Sequence, residues 1–186
     1  MADCASYDCG QDFPTRVQTG CNTKFRGGSN KAIMFRCGET VDPDSPTLSD
    51  DVQAIIDAGN AAVLTSIQIN VDAPSPVTGP SLVGCVPDGF ITNDHTITLV
   101  DRNVTPEVND FYNSILRDFS AEIGGLMFYE CDADRVTYYD IALSLQGGRV
   151  FPVGKTELQR YEFSLVGQDD ELPAIITTEI AAFTNA

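Results

Sequence analysis

Tryptophan is missing from this chain, histidine occurs once, at His95, and Lys and Arg together number 11 against 27 Asp and Glu. Each shortage removes a class of function. Acyl transfer needs a nucleophile and a base within hydrogen-bond reach, and no serine or cysteine nucleophile accompanies the one histidine. A net charge of −16 argues against binding nucleic acid through its phosphates, which takes a basic face that releases counterions, and against anionic membrane surfaces. No Gly-x-Gly-x-x-Gly follows a strand pattern. Gly27-Gly28-Ser29-Asn30 opens neither a Gly-Lys-Ser/Thr element nor a helix, so it reads as a turn rather than a phosphate cradle. No apolar stretch approaches the roughly 18 residues of a membrane span. The start, Met1-Ala2-Asp3-Cys4, lacks a basic region followed by an apolar one, so the expectation is a cytoplasmic chain that leaves by lysis or within a particle.

Without tryptophan, carbohydrate sites also lose their usual stacking platform. Glu130 and Asp132 have the residue types of a glycosidase pair, but carboxylates are so abundant here that such coincidences are cheap. Strands that alternate carboxylates outward simply have a solvated face. His95, beside Asp94, reads as a solvated turn residue. Asp50, Asp51 and Asp57 read as surface carboxylates, the first two matched to a helix dipole. No residue is assigned a catalytic, cofactor-binding or metal-ligating role, and no cofactor is expected.

What is present points to structure. Apolar residues make up 42% of 186, enough for one domain with a real core. The acidity serves solubility, or it marks a surface that must not adhere to a polyanion or must self-associate without precipitating. Six cysteines, four within the first 37 residues, are spaced by four, eleven and fifteen residues through that front section. Zinc ligand pairs usually have two-residue spacers, which leaves disulfides or buried free thiols. Residues 1–48 read as a cysteine-rich N-terminal arm and 49–186 as a β domain, one structural domain overall.

Along the chain, Ala32-Ile33-Met34-Phe35 is the one apolar patch of the first region. Ser49 to Asn60 reads as a short helix, capped by Ser49 with Val52, Ile55 and Ile56 buried. Ala61 to Val71 alternates as a strand with Val63, Thr65, Ile67, Ile69 and Val71 on one side. A proline-bearing loop follows to about Asp88-Gly89, of the kind that contacts neighbours. Phe90-Ile91 and Thr96 to Val100 are β segments with Asn93-Asp94 as a turn between them.

The main helix is placed at 106–123. Thr105-Pro106-Glu107 reads as N-cap, N1 proline and acidic first turn. Val108, Phe111, Tyr112, Ile115, Leu116 and Phe119 share one face, and Gly124-Gly125 ends it. Glu107, Asp110, Asn113, Arg117 and Asp118 form the outer face, a candidate for subunit contacts. Strands follow over Leu126 to Cys131, Val136 to Leu145 and Arg149 to Phe151, with Gly147-Gly148 as a turn. In Leu158 to Val166, Tyr161, Phe163 and Leu165 face the core, and Ala174 to Phe183 forms an extended arm. The fold class is mainly β, a sandwich or barrel-like domain flanked by one main helix, with extended loops and terminal arms.

This order of elements resembles the tail tube proteins of tailed bacteriophages, above all those of phages with Bacteroidetes-type hosts. The likeness is carried by Asp72-Ala73-Pro74-Ser75-Pro76-Val77-Thr78-Gly79, by Thr96-Ile97-Thr98-Leu99-Val100-Asp101-Arg102-Asn103-Val104-Thr105, by Asn109-Asp110-Phe111-Tyr112 in the helix, and by Arg160-Tyr161-Glu162-Phe163-Ser164-Leu165-Val166-Gly167. It spans about two thirds of the chain and leaves out the cysteine-bearing front. The resemblance implies a β-sandwich flanked by a helix, hexameric rings stacked into a tube, and passage of double-stranded DNA through an acidic lumen without specific binding. It implies partners in copies of the same chain and other tail proteins, residence in the virion tail, assembly in the host cytoplasm, and no catalytic residues. Glu130, Asp132, Asp134 and Asp140 are the candidates to line the lumen. Three alternatives are a capsid decoration or head-to-tail connector, a soluble disulfide-stapled binding module, and a carboxylate-dependent hydrolase.

Overall fold

A computed structural model describes residues 29–79, 89–129, 136–151, 158–169 and 171–176. Among these residues the chain is mostly strand, with two helices, in the order β1 (Ser29–Phe35), α1 (Leu48–Asp57), β2 (Ala61–Val71), β3 (Ser75–Gly79), β4 (Gly89–Asp101), α2 (Pro106–Asp118), β5 (Glu122–Ile123), β6 (Gly125–Tyr129), β7 (Val136–Tyr139), β8 (Leu143–Val150), β9 (Arg160–Asp169) and β10 (Ala174–Ile176). The mainly β class expected from alternation holds.

All ten strands belong to one antiparallel sheet. Only Gly124 separates β5 from β6. β5 pairs with β8 and β6 pairs with β1, and the Gly124 amide donates to the Phe35 carbonyl at 2.8 Å. The sheet therefore closes on itself as a barrel of six long strands, several of them interrupted. A barrel is one answer to the exposed edges of an open sheet. Gly124 has to be glycine there, because a Cβ would stand 2.3 Å from the Arg36 carbonyl oxygen.

The barrel interior holds Ala32, Met34, Leu64, Ile67, Ile97, Leu99, Leu126, Leu145, Phe163 and Leu165, all buried, and α2 adds Val108, Phe111, Tyr112 and Ile115 to the same cluster. At the α2 end, the Tyr112 hydroxyl donates to Asp101 Oδ2 at 2.9 Å and the Tyr161 hydroxyl donates to Asn109 Oδ1 at 3.1 Å. A second core lies outside the wall, where Leu48, Val52 and Ile56 of α1 cover Ile33, Phe35, Val63, Met127 and Tyr138.

Several local expectations are corrected. Ser29–Phe35, assigned to the N-terminal arm, lies between β2 and β6 inside the sheet, so residue 48 does not bound the sheet. Thr47, not Ser49, occupies the N-cap position of α1, without a side-chain cap hydrogen bond, and Ser49 sits within the helix. In β2 one alternation does not run through the strand. Ala62 and Leu64 face the interior, and then Ile67 and Ile69 do. Ser66 at φ 61 marks a bulge, where β2 carries two more residues than β1 between the Lys31–Thr65 and Ser29–Ile69 pairs, and the side-chain parity flips across it. The proline loop contains β3, whose Pro76 is tolerated because β3 pairs only with β4 and forms an edge.

Asn93-Asp94 is not a turn, because β4 runs unbroken from Gly89 to Asp101 between β3 and β9. α2 stops at Asp118 rather than 123, where Ser120 and Ala121 take left-handed backbone (φ 53 and 60) and lead into β5. Val136 to Leu145 divides into β7 and β8 around Asp140–Ala142, and Gly147-Gly148 lies within β8 rather than in a turn. The tail arm begins as β10 on β7, and its remainder lies outside the described residues. Tyr161, Phe163 and Leu165 are buried as alternation predicts.

Candidate interaction surface and wall cavity

Two strand edges are open among the described residues: β3 beyond β4, and β10 beyond β7. Unpaired N–H and C=O groups along an edge are a template for another strand. Beside β10, at the barrel end opposite α2, lies an apolar groove of about 420 Å³ lined by Val71, Pro74, Phe128, Thr137, Leu172 and Ile175, among others. Its rim carries large exposed apolar side chains, with Val71 38%, Leu172 70% and Ile175 64% accessible.

On α2, Glu107, Asp110, Asn113 and Arg117 are exposed, as the outer-face assignment expects, and Asp118 is half-buried. Thr105 caps the helix, its Oγ1 accepting from the Val108 amide at 3.3 Å. Backbone hydrogen bonding at the helix start and the Thr105 hydroxyl hold the Glu107 carboxyl below the usual carboxylate range. Arg117 Nε donates to Asp118 Oδ1 at 2.6 Å and Ser114 donates to Asp118 Oδ2 at 2.8 Å. Those two bonds, Arg117 first, lower the Asp118 carboxyl to about 2.

Several of the few cations are engaged by near neighbours. Arg160 pairs with Glu162, Arg149 donates to Gln159 and Arg36 donates to Asn60. Lys31 lies over the Tyr129 ring at 5.4 Å from its centroid, and burial lowers its ammonium pKa. Of the candidate lumen residues, Asp140 is exposed; Glu130, Asp132 and Asp134 lie outside the described residues, as does the Glu130–Asp132 pair weighed as a hydrolytic site. No group of three or more His, Cys, Asp and Glu among the described residues is placed to hold a metal ion. No helix among them is long and apolar enough to cross a membrane. Cys37 is disulfide-bonded, and every other cysteine lies outside the described residues.

His95 is the largest departure from the sequence reading. It is 2% exposed rather than solvated. In β4 it shares the inward parity of Ile97, Leu99 and Asp101, and its ring meets Tyr139 edge-on at 5.5 Å. Neither ring nitrogen has a hydrogen-bond partner among the described residues. Next to it the barrel wall parts. The β5–β8 and β6–β7 registers differ by one residue, which bulges Asp140–Ala142. The β8–β9 and β7–β10 registers differ by two, which bulges the stretch between Asp169 and Ala174.

A cavity of about 340 Å³ opens between these bulges, lined by His95, Tyr138, Tyr139, Asp140, Asp169 and Glu171, with Val41, Ile141 and Pro173 among its apolar walls. The Tyr138 hydroxyl donates to Asp140 Oδ1 at 3.2 Å and accepts from the Val41 amide at 3.3 Å. Burial, then the Asp140 charge, push the Tyr138 phenol above its ordinary value. A lone histidine in a polar stretch gives no local signal of burial, so only the strands on either side of β4 reveal this site.

No protein family, curated protein or solved structure matches the chain.

Proposed function

We propose that this chain is a structural virion protein that self-assembles into stacked rings, hexameric as in the tail tube proteins it resembles, to form a conduit for phage DNA. The observation that carries the reading is the pairing of open edges with exposed apolar surface. β3 and β10 offer unpaired backbone, and Val71, Leu172 and Ile175 rim an apolar groove at the same barrel end. Burying that rim between copies removes apolar area from water, and the edges extend the sheet across the contact. Head-to-tail contacts of this kind give rings when the rotation closes.

The net charge of −16 fits a lumen that repels the DNA backbone, so that the polyanion slides rather than adsorbs. Other tail proteins are the further partners, and the virion tail is the location. Negative-stain microscopy of concentrated protein tests the reading. Rings or filaments of uniform width, persisting in reductant, are expected; monodisperse monomers at every concentration refute it.

A second reading, a soluble disulfide-stapled binding module, draws on the disulfide at Cys37. It requires a monomer whose stability collapses on reduction.

A further inference from the structure

The wall cavity at His95 adjoins the apolar groove of the proposed ring contact, with Tyr139, Leu172 and Pro173 bordering both, but opens onto a different chemistry. Its composition is one-sided. Asp140, Asp169 and Glu171 line it, and among the described residues none is paired with a cation: Asp140 accepts from Tyr138, and Asp169 accepts from the Glu171 amide at 3.4 Å. Behind them His95, 2% exposed, leaves both ring nitrogens without a partner among the described residues. A neutral imidazole carries one donor and one acceptor, and a buried polar group left unmatched calls for a compensating ligand or ordered water.

We propose that this cavity binds an organic cation, an amine or guanidinium group carried on a short carbon chain. The carboxylates supply charge-assisted acceptors, and His95 supplies a further acceptor at the inner wall. Val41, Ile141 and Pro173 supply an apolar wall for the chain. The volume, about 340 Å³, falls within the range of small-molecule sites. A divalent metal fits less well, since no three ligating side chains among the described residues converge on one point. The inference does not depend on the assembly reading, because the site is built within one copy.

His95 is the only histidine, so ring-labelled histidine gives a single magnetic-resonance probe. Titration with propylguanidinium chloride shifts this signal saturably. Asp169→Asn/Glu171→Gln weakens the binding at least tenfold, and Asp140→Asn, at an exposed position, weakens it independently should the double variant misfold. An equal shift from sodium chloride at matched ionic strength, an equal one from calcium chloride, or unaltered binding by the variants overturns the proposal. A signal that moves with protein concentration alone, without additive, identifies the cation as a side chain of a second copy. One that moves only with additive identifies a free small molecule. Both leave the site standing.

Discussion

Replacing Tyr112 with phenylalanine removes one oxygen from the most polar point of the barrel core. The ring itself stays packed, at 5.0 Å from Phe111, 5.0 Å from Tyr161 and 4.6 Å from Phe163, so no cavity forms. What is lost is the donor to Asp101 Oδ2, 2.9 Å away. Asp101 is 0% exposed, so water cannot replace that donor. The Asn103 amide, at 2.8 Å from Oδ1, remains. A hydrogen bond to a charged group contributes about 1.5–3 kcal/mol, so Tyr112→Phe should cost about 2 kcal/mol. For a chain of this size that corresponds to a Tm fall of about 4–8 °C. Urea unfolding followed by circular dichroism reads the loss. A double-mutant cycle with Asp101→Asn assigns it to the pair through a coupling of about 1 kcal/mol or more. Stability within about 0.5 kcal/mol of the parent, at unchanged m, would refute the account of α2 as fastened through this bond.

Two further outcomes follow from the same geometry. Gly124→Ala places a Cβ against backbone that cannot swing aside and should destabilise by about 2 kcal/mol or more. Gly148→Ala, with nothing within 4 Å, should stay within about 0.5 kcal/mol of the parent; equal effects at the two sites would show that the β5–β6 junction is not close-packed. The Asp118 carboxyl is held at about 2 against an ordinary 3.8. Its folded value is depressed, so its contribution is present above about 4 and is lost as pH falls toward about 2. Arg117→Ala should return the midpoint of an Asp118 carboxyl titration most of the way to 3.8, and an unmoved midpoint rejects the pairing.

Legibility followed locality. The start of α2 was readable because Thr105-Pro106-Glu107 satisfies and orients the first helical turn from within its own residues. The buried set of β9 was readable because Tyr161, Phe163 and Leu165 alternate without interruption. The end of α2 is not legible locally, because Gly124-Gly125 resembles a stop. Those glycines instead serve strand approach and pairing, and the helix ends earlier through left-handed Ser120 and Ala121. The bounds of β2 are legible and its faces are not, since a bulge at Ser66 leaves no mark on a hydrophobic pattern.

Alternation, caps and composition by themselves determined a mainly β chain with two helices and an excess of acidic residues, because those features are written within a few residues of each other. Tertiary structure alone decided that β5 and β6 close a barrel, and that the wall parts between Asp140 and Ala174. It also decided that His95 is buried beside that opening. Asn93, Asp94 and His95 form a polar stretch that favours a turn in isolation. The ladders to β3 and β9 satisfy their backbone groups and hold the stretch extended, which turns the imidazole inward.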